Sequence, residues 1–110
     1  MAAMSSQSLL ATGTTPTPIS PTASDTIAQS QFGPNGCILR CITTGTPSNI
    51  TVTDPNTTSL GNPGSASAVA LVATGSKMIK IPTAAINQST QVATVTSSSQ
   101  TGLTYELYQY

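Results

Sequence analysis

The side chains able to do chemistry are few. Asp25, Asp54 and Glu106 are the acids, Arg40, Lys77 and Lys80 the bases, Cys37 and Cys41 the thiols, and there is no histidine. General acid–base catalysis calls on His, or on a carboxylate whose pKa is shifted by a second group held beside it. Here the three acids lie far apart in sequence and no motif links any two. Serines abound, but without His there is no conventional nucleophilic triad. These absences predict a protein that is not an enzyme and uses no cofactor. Cys37 and Cys41 fall in Gly36-Cys37-Ile38-Leu39-Arg40-Cys41-Ile42-Thr43, which reads as a strand. Four residues of strand cover about 13 Å, whereas disulfide partners need Cα atoms within about 7 Å. The two thiols are therefore expected as reduced core side chains on one face, with Leu39 between them. A zinc site needs further Cys or His ligands, and none remain, so no metal is expected.

Other patterns carry weaker chemistry. Three Asn-X-Ser/Thr sequons (Asn49-Ile50-Thr51, Asn56-Thr57-Thr58 and Asn87-Gln88-Ser89) invite a glycoprotein reading. Ser and Thr are so abundant here that sequons arise by chance, and no signal sequence supports export. Asp54-Pro55-Asn56 offers one carboxylate where calcium wants six or more oxygens; it reads as a turn initiator. Tyr105, Tyr108 and Tyr110 stand out, because Tyr combines a large apolar body with a polar tip and is enriched at interfaces.

Charge narrows the partners. Net charge is zero and charged residues make up 5% of the chain. Three scattered bases give no footprint for nucleic acid and no basic cluster for an anionic membrane. A soluble domain is better protected from association by a more charged surface, so a place inside an assembly is expected. Leu9, Leu10 and Ala11 form a short apolar patch with no basic residue before it. A secretory signal needs a positive region and about 7–15 apolar residues. No run approaches the roughly 18 residues of a membrane span. The expectation is a soluble protein made and kept in the cytosol.

Around these residues the chain divides in two. Residues 1–24 are rich in Ser, Thr, Ala and Pro and carry no charge before Asp25. Pro16, Pro18 and Pro21 enforce an extended path. This segment reads either as a free terminal tail or as an arm spanning up to ~80 Å that lies along a neighbouring subunit, with Thr14, Pro16, Pro18, Ile19 and Pro21 as candidate contacts. Residues 25–110 read as short β runs with turn punctuation. The runs are 26–32, 37–43, 49–53, 66–73, 77–81, 91–96 and 103–110. Gly33-Pro34-Asn35-Gly36 and Thr74-Gly75-Ser76 are read as tight turns between them. A long loop runs from Asp54 through Gly64, and Thr83–Asn87 reads as one turn of helix or an extended bridge. In the last run Leu103, Tyr105 and Leu107 oppose Tyr108 and Tyr110, so one face stays exposed unless something covers it. The tyrosines read equally as ordinary core or rim packing and as candidate subunit contacts. About seven strands at this spacing predict an all-β domain, a small antiparallel β-sandwich or barrel.

Two stretches, Ser24–Arg40 (Ser-Asp-Thr-Ile-Ala-Gln-Ser-Gln-Phe-Gly-Pro-Asn-Gly-Cys-Ile-Leu-Arg) and Val72–Pro82 (Val-Ala-Thr-Gly-Ser-Lys-Met-Ile-Lys-Ile-Pro), resemble the small β-sandwich virion proteins of tailed bacteriophages, in particular head decoration (cement) proteins. The resemblance implies an outer-capsid protein, made in the host cytoplasm and found in the virion. Such a protein is often trimeric and ties together subunits of the major capsid protein. It carries over no catalytic or ligand residue. Three other readings compete: a head–tail connector or tail component, a cell-surface carbohydrate-binding or adhesion module that stacks sugars on Tyr, and a soluble binding module such as an inhibitor.

Overall fold

The computed structural model describes residues 2–55, 60 and 68–110. The sequon at Asn56 and the Gly61-Asn62-Pro63-Gly64 turn lie outside the described residues, as does the start of the expected 66–73 strand. The described residues form eight strands: β1 (Ala2–Met4), β2 (Ser24–Ala28), β3 (Cys37–Thr44), β4 (Ser48–Val52), β5 (Val69–Leu71), β6 (Thr74–Ile81), β7 (Val92–Ser97) and β8 (Leu103–Gln109). They form a five-stranded sheet in the order β1-β2-β7-β4-β5 and a three-stranded sheet in the order β6-β3-β8. The chain is all-β, and the two sheets pack as a small β-sandwich.

Alternation explains which side chains face inward. On β3, Cys37, Leu39, Cys41 and Thr43 are buried while Ile38, Arg40 and Ile42 are half-buried. Ala93 and Val95 of β7 and Leu103, Tyr105 and Leu107 of β8 complete the pattern, and Ile27, Ile50 and Ile81 fill the space between the sheets. This is the period of two that a strand imposes. Burying such side chains supplies the main driving force for the fold.

The first strand differs from expectation at both ends. β2 begins at Ser24 and pairs with β7 from Ser24↔Thr96 to Ala28↔Val92. The chain then turns through a one-turn 3-10 helix, Gln29–Gln31, before Phe32. Asp25 faces inward and is buried, and both its carboxylate oxygens accept from Thr22: Oδ2 from the backbone N–H at 3.0 Å and Oδ1 from the hydroxyl at 2.6 Å. Thr74-Gly75-Ser76 is no turn. These residues open β6 and pair with Thr44, Thr43 and Ile42. The change of direction falls at Val72-Ala73, where the chain leaves β5 in one sheet for β6 in the other. Thr83–Ala85 forms a second 3-10 turn.

Residues 2–24 do not project as an arm. β1 lies parallel to β2, with Met4 beside Ile27 and 2% exposed. The chain then crosses to the other sheet, where Gln7 runs parallel to β8: its N–H donates to Leu107 O and its carbonyl accepts from Gln109 N–H. Ile19 returns to the same edge and exchanges both backbone bonds with Tyr105, at 2.7 and 2.9 Å. The N-terminal segment thus closes one side of the sandwich and covers the free edge of β8. An uncovered edge of that kind is a liability, and here the chain covers it with its own backbone.

Candidate interaction surface

The outer face of the three-stranded sheet gathers half of the chain's charged residues. Register across β3 sets it in rows: Ile38 lies between Lys80 and Tyr108, Arg40 between Met78 and Glu106, and Ile42 between Ser76 and Thr104. Arg40 Nη1 donates to Glu106 Oε1 at 3.0 Å, and the Tyr108 hydroxyl donates to the same oxygen at 2.8 Å. Glu106 is 8% exposed at its side chain against 38% for Arg40, so the carboxylate sits beneath its partners. An ion pair this accessible on the Arg side contributes about 1 kcal/mol or less. Its larger effect is to remove the cost of a buried unpaired carboxylate. Lys80 Nζ stands 5.0 Å from the centroid of the Tyr110 ring, a cation–π contact. Met78 and Tyr110 are exposed.

The candidate contacts read from sequence scatter. Tyr105 lies at the centre of the core, 0% exposed, and is no subunit contact. Its position in the alternation with Leu103 and Leu107 turns it inward. Tyr108 is also buried, because the N-terminal segment runs beside β8. Tyr110 alone of the three is exposed, and its backbone is tied to the 33–36 turn: its N–H donates to Gly36 O and its carbonyl accepts from Asn35 N–H. Ile19 is half-buried against the core. Thr14 closes its own loop, accepting from Leu10 N–H and donating to Ser8 O. Pro16 and Pro18 are exposed and Pro21 is half-buried. Leu9 and Leu10, at the tip of that loop, are exposed apolar side chains.

Burial favours the neutral form of the two thiols and of Tyr105. Burial pushes the Cys41 thiol up to about 12 and raises Cys37 as well, against a backbone hydrogen bond that lowers it. Both cysteines are free and buried. Burial also pushes Tyr105 up to about 12, with the Ser97 side chain opposing part of the rise. Ser97 Oγ is already engaged with Thr22 and Gln100, and the Tyr105 hydroxyl makes no hydrogen bond of acceptable geometry. Burial and the Glu106 hydrogen bond raise Tyr108.

A cleft of about 40 Å³ lies between β5 and β6, lined by Cys41, Thr43, Leu71, Val72 and Lys77 among others. A shallow groove at one end is bordered by Gln29, Phe32, Thr83, Ile86 and Gln88. Among the described residues no three His, Cys, Asp or Glu side chains gather into a group able to hold a metal, and no helix is long and apolar enough to cross a membrane. The described surface presents backbone edges together with methionine, tyrosine, arginine and lysine side chains.

Sequence reasoning missed Asp25 as a buried carboxylate and the Arg40–Glu106–Tyr108 cluster. The alternation places each of these three on the outer face of its own strand. Their meeting depends on sheet order, which no local signal carries. Comparison of the chain with protein-family models, with curated proteins and with solved structures finds no match.

Proposed function

We propose that this chain is a virion structural protein, a capsid decoration (cement) protein that binds the outer surface of a tailed-phage head and bridges coat subunits. One observation carries the reading: the outer face of the three-stranded sheet presents Met78, Arg40 and Tyr110 together, residue types enriched at protein interfaces. The resemblance points the same way. Its two segments form β2, the 33–36 turn and the first half of β3 on one hand, and β6 on the other, so both reach this sheet. The partner on this reading is the major capsid protein, with a homo-oligomer such as a trimer as the bound form.

A decoration protein stabilises the assembled state because it binds the shell and not the free coat subunit. Adding the purified chain to shells that lack it should saturate at a fixed ratio to coat protein and raise the temperature at which the shells disrupt. Shells that neither retain the chain nor gain stability would overturn the reading. A connector or tail role uses the same surface and differs in copy number, a handful per particle. The carbohydrate-binding alternative is weakened, since two of the three tyrosines on which sugars would stack are buried.

A further inference from the structure

The two edges of the three-stranded sheet are treated differently. The β8 edge is occupied by Gln7 and Ile19. The β6 edge has no strand beside it among the described residues, although β6 is eight residues long and exposed over most of its length.

Register tells which backbone groups that edge offers. Thr44 N–H donates to Gly102 O on the β8 side, and Gly45 N–H donates to Ala73 O on the β6 side. Alternation along β3 therefore points Cys37, Leu39, Cys41 and Thr43 toward β6, where they meet Ile81, Ile79, Lys77 and Gly75. The same rule applied to β8 leaves Tyr105, Leu107 and Gln109 pointing away from β3. Those are the residues that bond Ile19 and Gln7. On β6 the outward-pointing set is then Thr74, Ser76, Met78 and Lys80.

Charge identifies what fits there. Both lysines of the protein, Lys77 and Lys80, sit on β6, and β6 carries no acid. Glu106 is two strands away and already paired with Arg40. Two copies of the chain joined edge to edge would bring four lysines onto one ribbon with no acid to answer them, whatever the register. Lysines on an edge are a known device against such self-pairing.

We propose that the edge of β6, which has no strand beside it among the described residues, accepts an extended, acidic strand from another polypeptide by β-strand addition. Backbone bonds from Thr74, Ser76, Met78 and Lys80 would supply the affinity. Lys77 and Lys80 stand on opposite faces of β6, so a strand with acidic side chains at alternate positions, all on one face, meets a lysine whichever face they take. Lys80 already rests on Tyr110 and is held over the outer face. The inference stands whatever assembly the chain belongs to.

The test uses the full chain, isotope-labelled, titrated with a blocked octapeptide of alternating Val and Glu and, separately, with its Val–Lys counterpart. The acidic peptide is expected to shift amide signals along Thr74–Lys80 and to slow hydrogen exchange at Ser76, Met78 and Lys80. The basic peptide should bind at least about tenfold more weakly. Met78→Pro removes one outward N–H and spares the β3 ladder, since proline is tolerated on the solvent side of an edge strand; it should weaken binding about fivefold or more. Met78→Ala, which keeps the N–H, should bind nearly as the parent does. The proposal is overturned by no binding, by equal binding of both peptides, by shifts outside β6, or by self-association of the free chain through this edge.

Discussion

Met4 offers the sharpest test of how this fold is closed. Its side chain is 2% exposed and belongs to the core cluster with Ile27 across from it, in a segment whose composition reads as a free tail. Truncating a buried methionine to alanine costs about 2–4 kcal/mol, the lost transfer energy plus the cavity left behind. For a domain of this size each kcal/mol lowers the midpoint of thermal unfolding by about 4 °C. Met4→Ala should therefore melt about 8–16 °C below the parent, with an unchanged urea m-value. Leu9→Ala is the control, because Leu9 is 63% exposed and its loss should stay within about 0.5 kcal/mol. Removing residues 1–22 would go further. It deletes β1, the Gln7 and Ile19 bonds to β8, and the three hydrogen bonds by which Ser6 holds Gln31. That loss is comparable with the whole stability of a small domain, about 5–15 kcal/mol, so the truncated chain should not fold cooperatively. Equal melting of Met4→Ala and Leu9→Ala would refute the reasoning and restore the free arm.

Three further outcomes follow from the core. Cys37 and Cys41 should resist a thiol reagent at pH 8, since a pKa of about 12 leaves Cys41 roughly one part in ten thousand as thiolate, and both should react once urea unfolds the chain; rapid labelling of the native protein would contradict this. Tyr105, raised from 10.0 to about 12, binds its proton more tightly in the native state. Its share of stability is thus fully present below pH 10 and lost as pH rises from 10 through 12. Tyr105→Phe should flatten that alkaline decline and leave stability at pH 7 unchanged or slightly higher, because the hydroxyl has no hydrogen bond to lose; a loss above about 1 kcal/mol at neutral pH, read by urea titration, would count against it. Gly36→Ala should cost roughly 2 kcal/mol or more in the same titration, because Gly36 has φ +109° and an added Cβ would lie 2.2 Å from Ile81 O.

Local pattern made much of the sandwich legible and left its closure hidden. β3, β7 and β8 follow from alternation alone, and the inward set Cys37, Leu39, Cys41 is where the sequence places it. Tyr105 is readable as a partner of Leu103 and Leu107, but a tyrosine suits an interface equally well, and alternation alone does not say which face of the strand is covered. The sole hint of β1 was Met4, the one large apolar side chain among residues 2–8. A three-residue strand paired in parallel with β2 carries no periodicity of its own. Gly75 misled in the other direction: glycine is common turn chemistry, but here it lies within a strand whose partner, Thr43, is remote in sequence. The outer-face cluster stayed out of reach for the same reason, since Arg40, Glu106 and Met78 meet through sheet order.

The central claim is that this chain lives on a capsid, and quantitative mass spectrometry of purified particles from its source tests it most directly. A decoration role predicts a copy number close to that of the major coat protein. A handful of copies per particle would move the chain to the connector or tail, and its absence from particles would contradict the account.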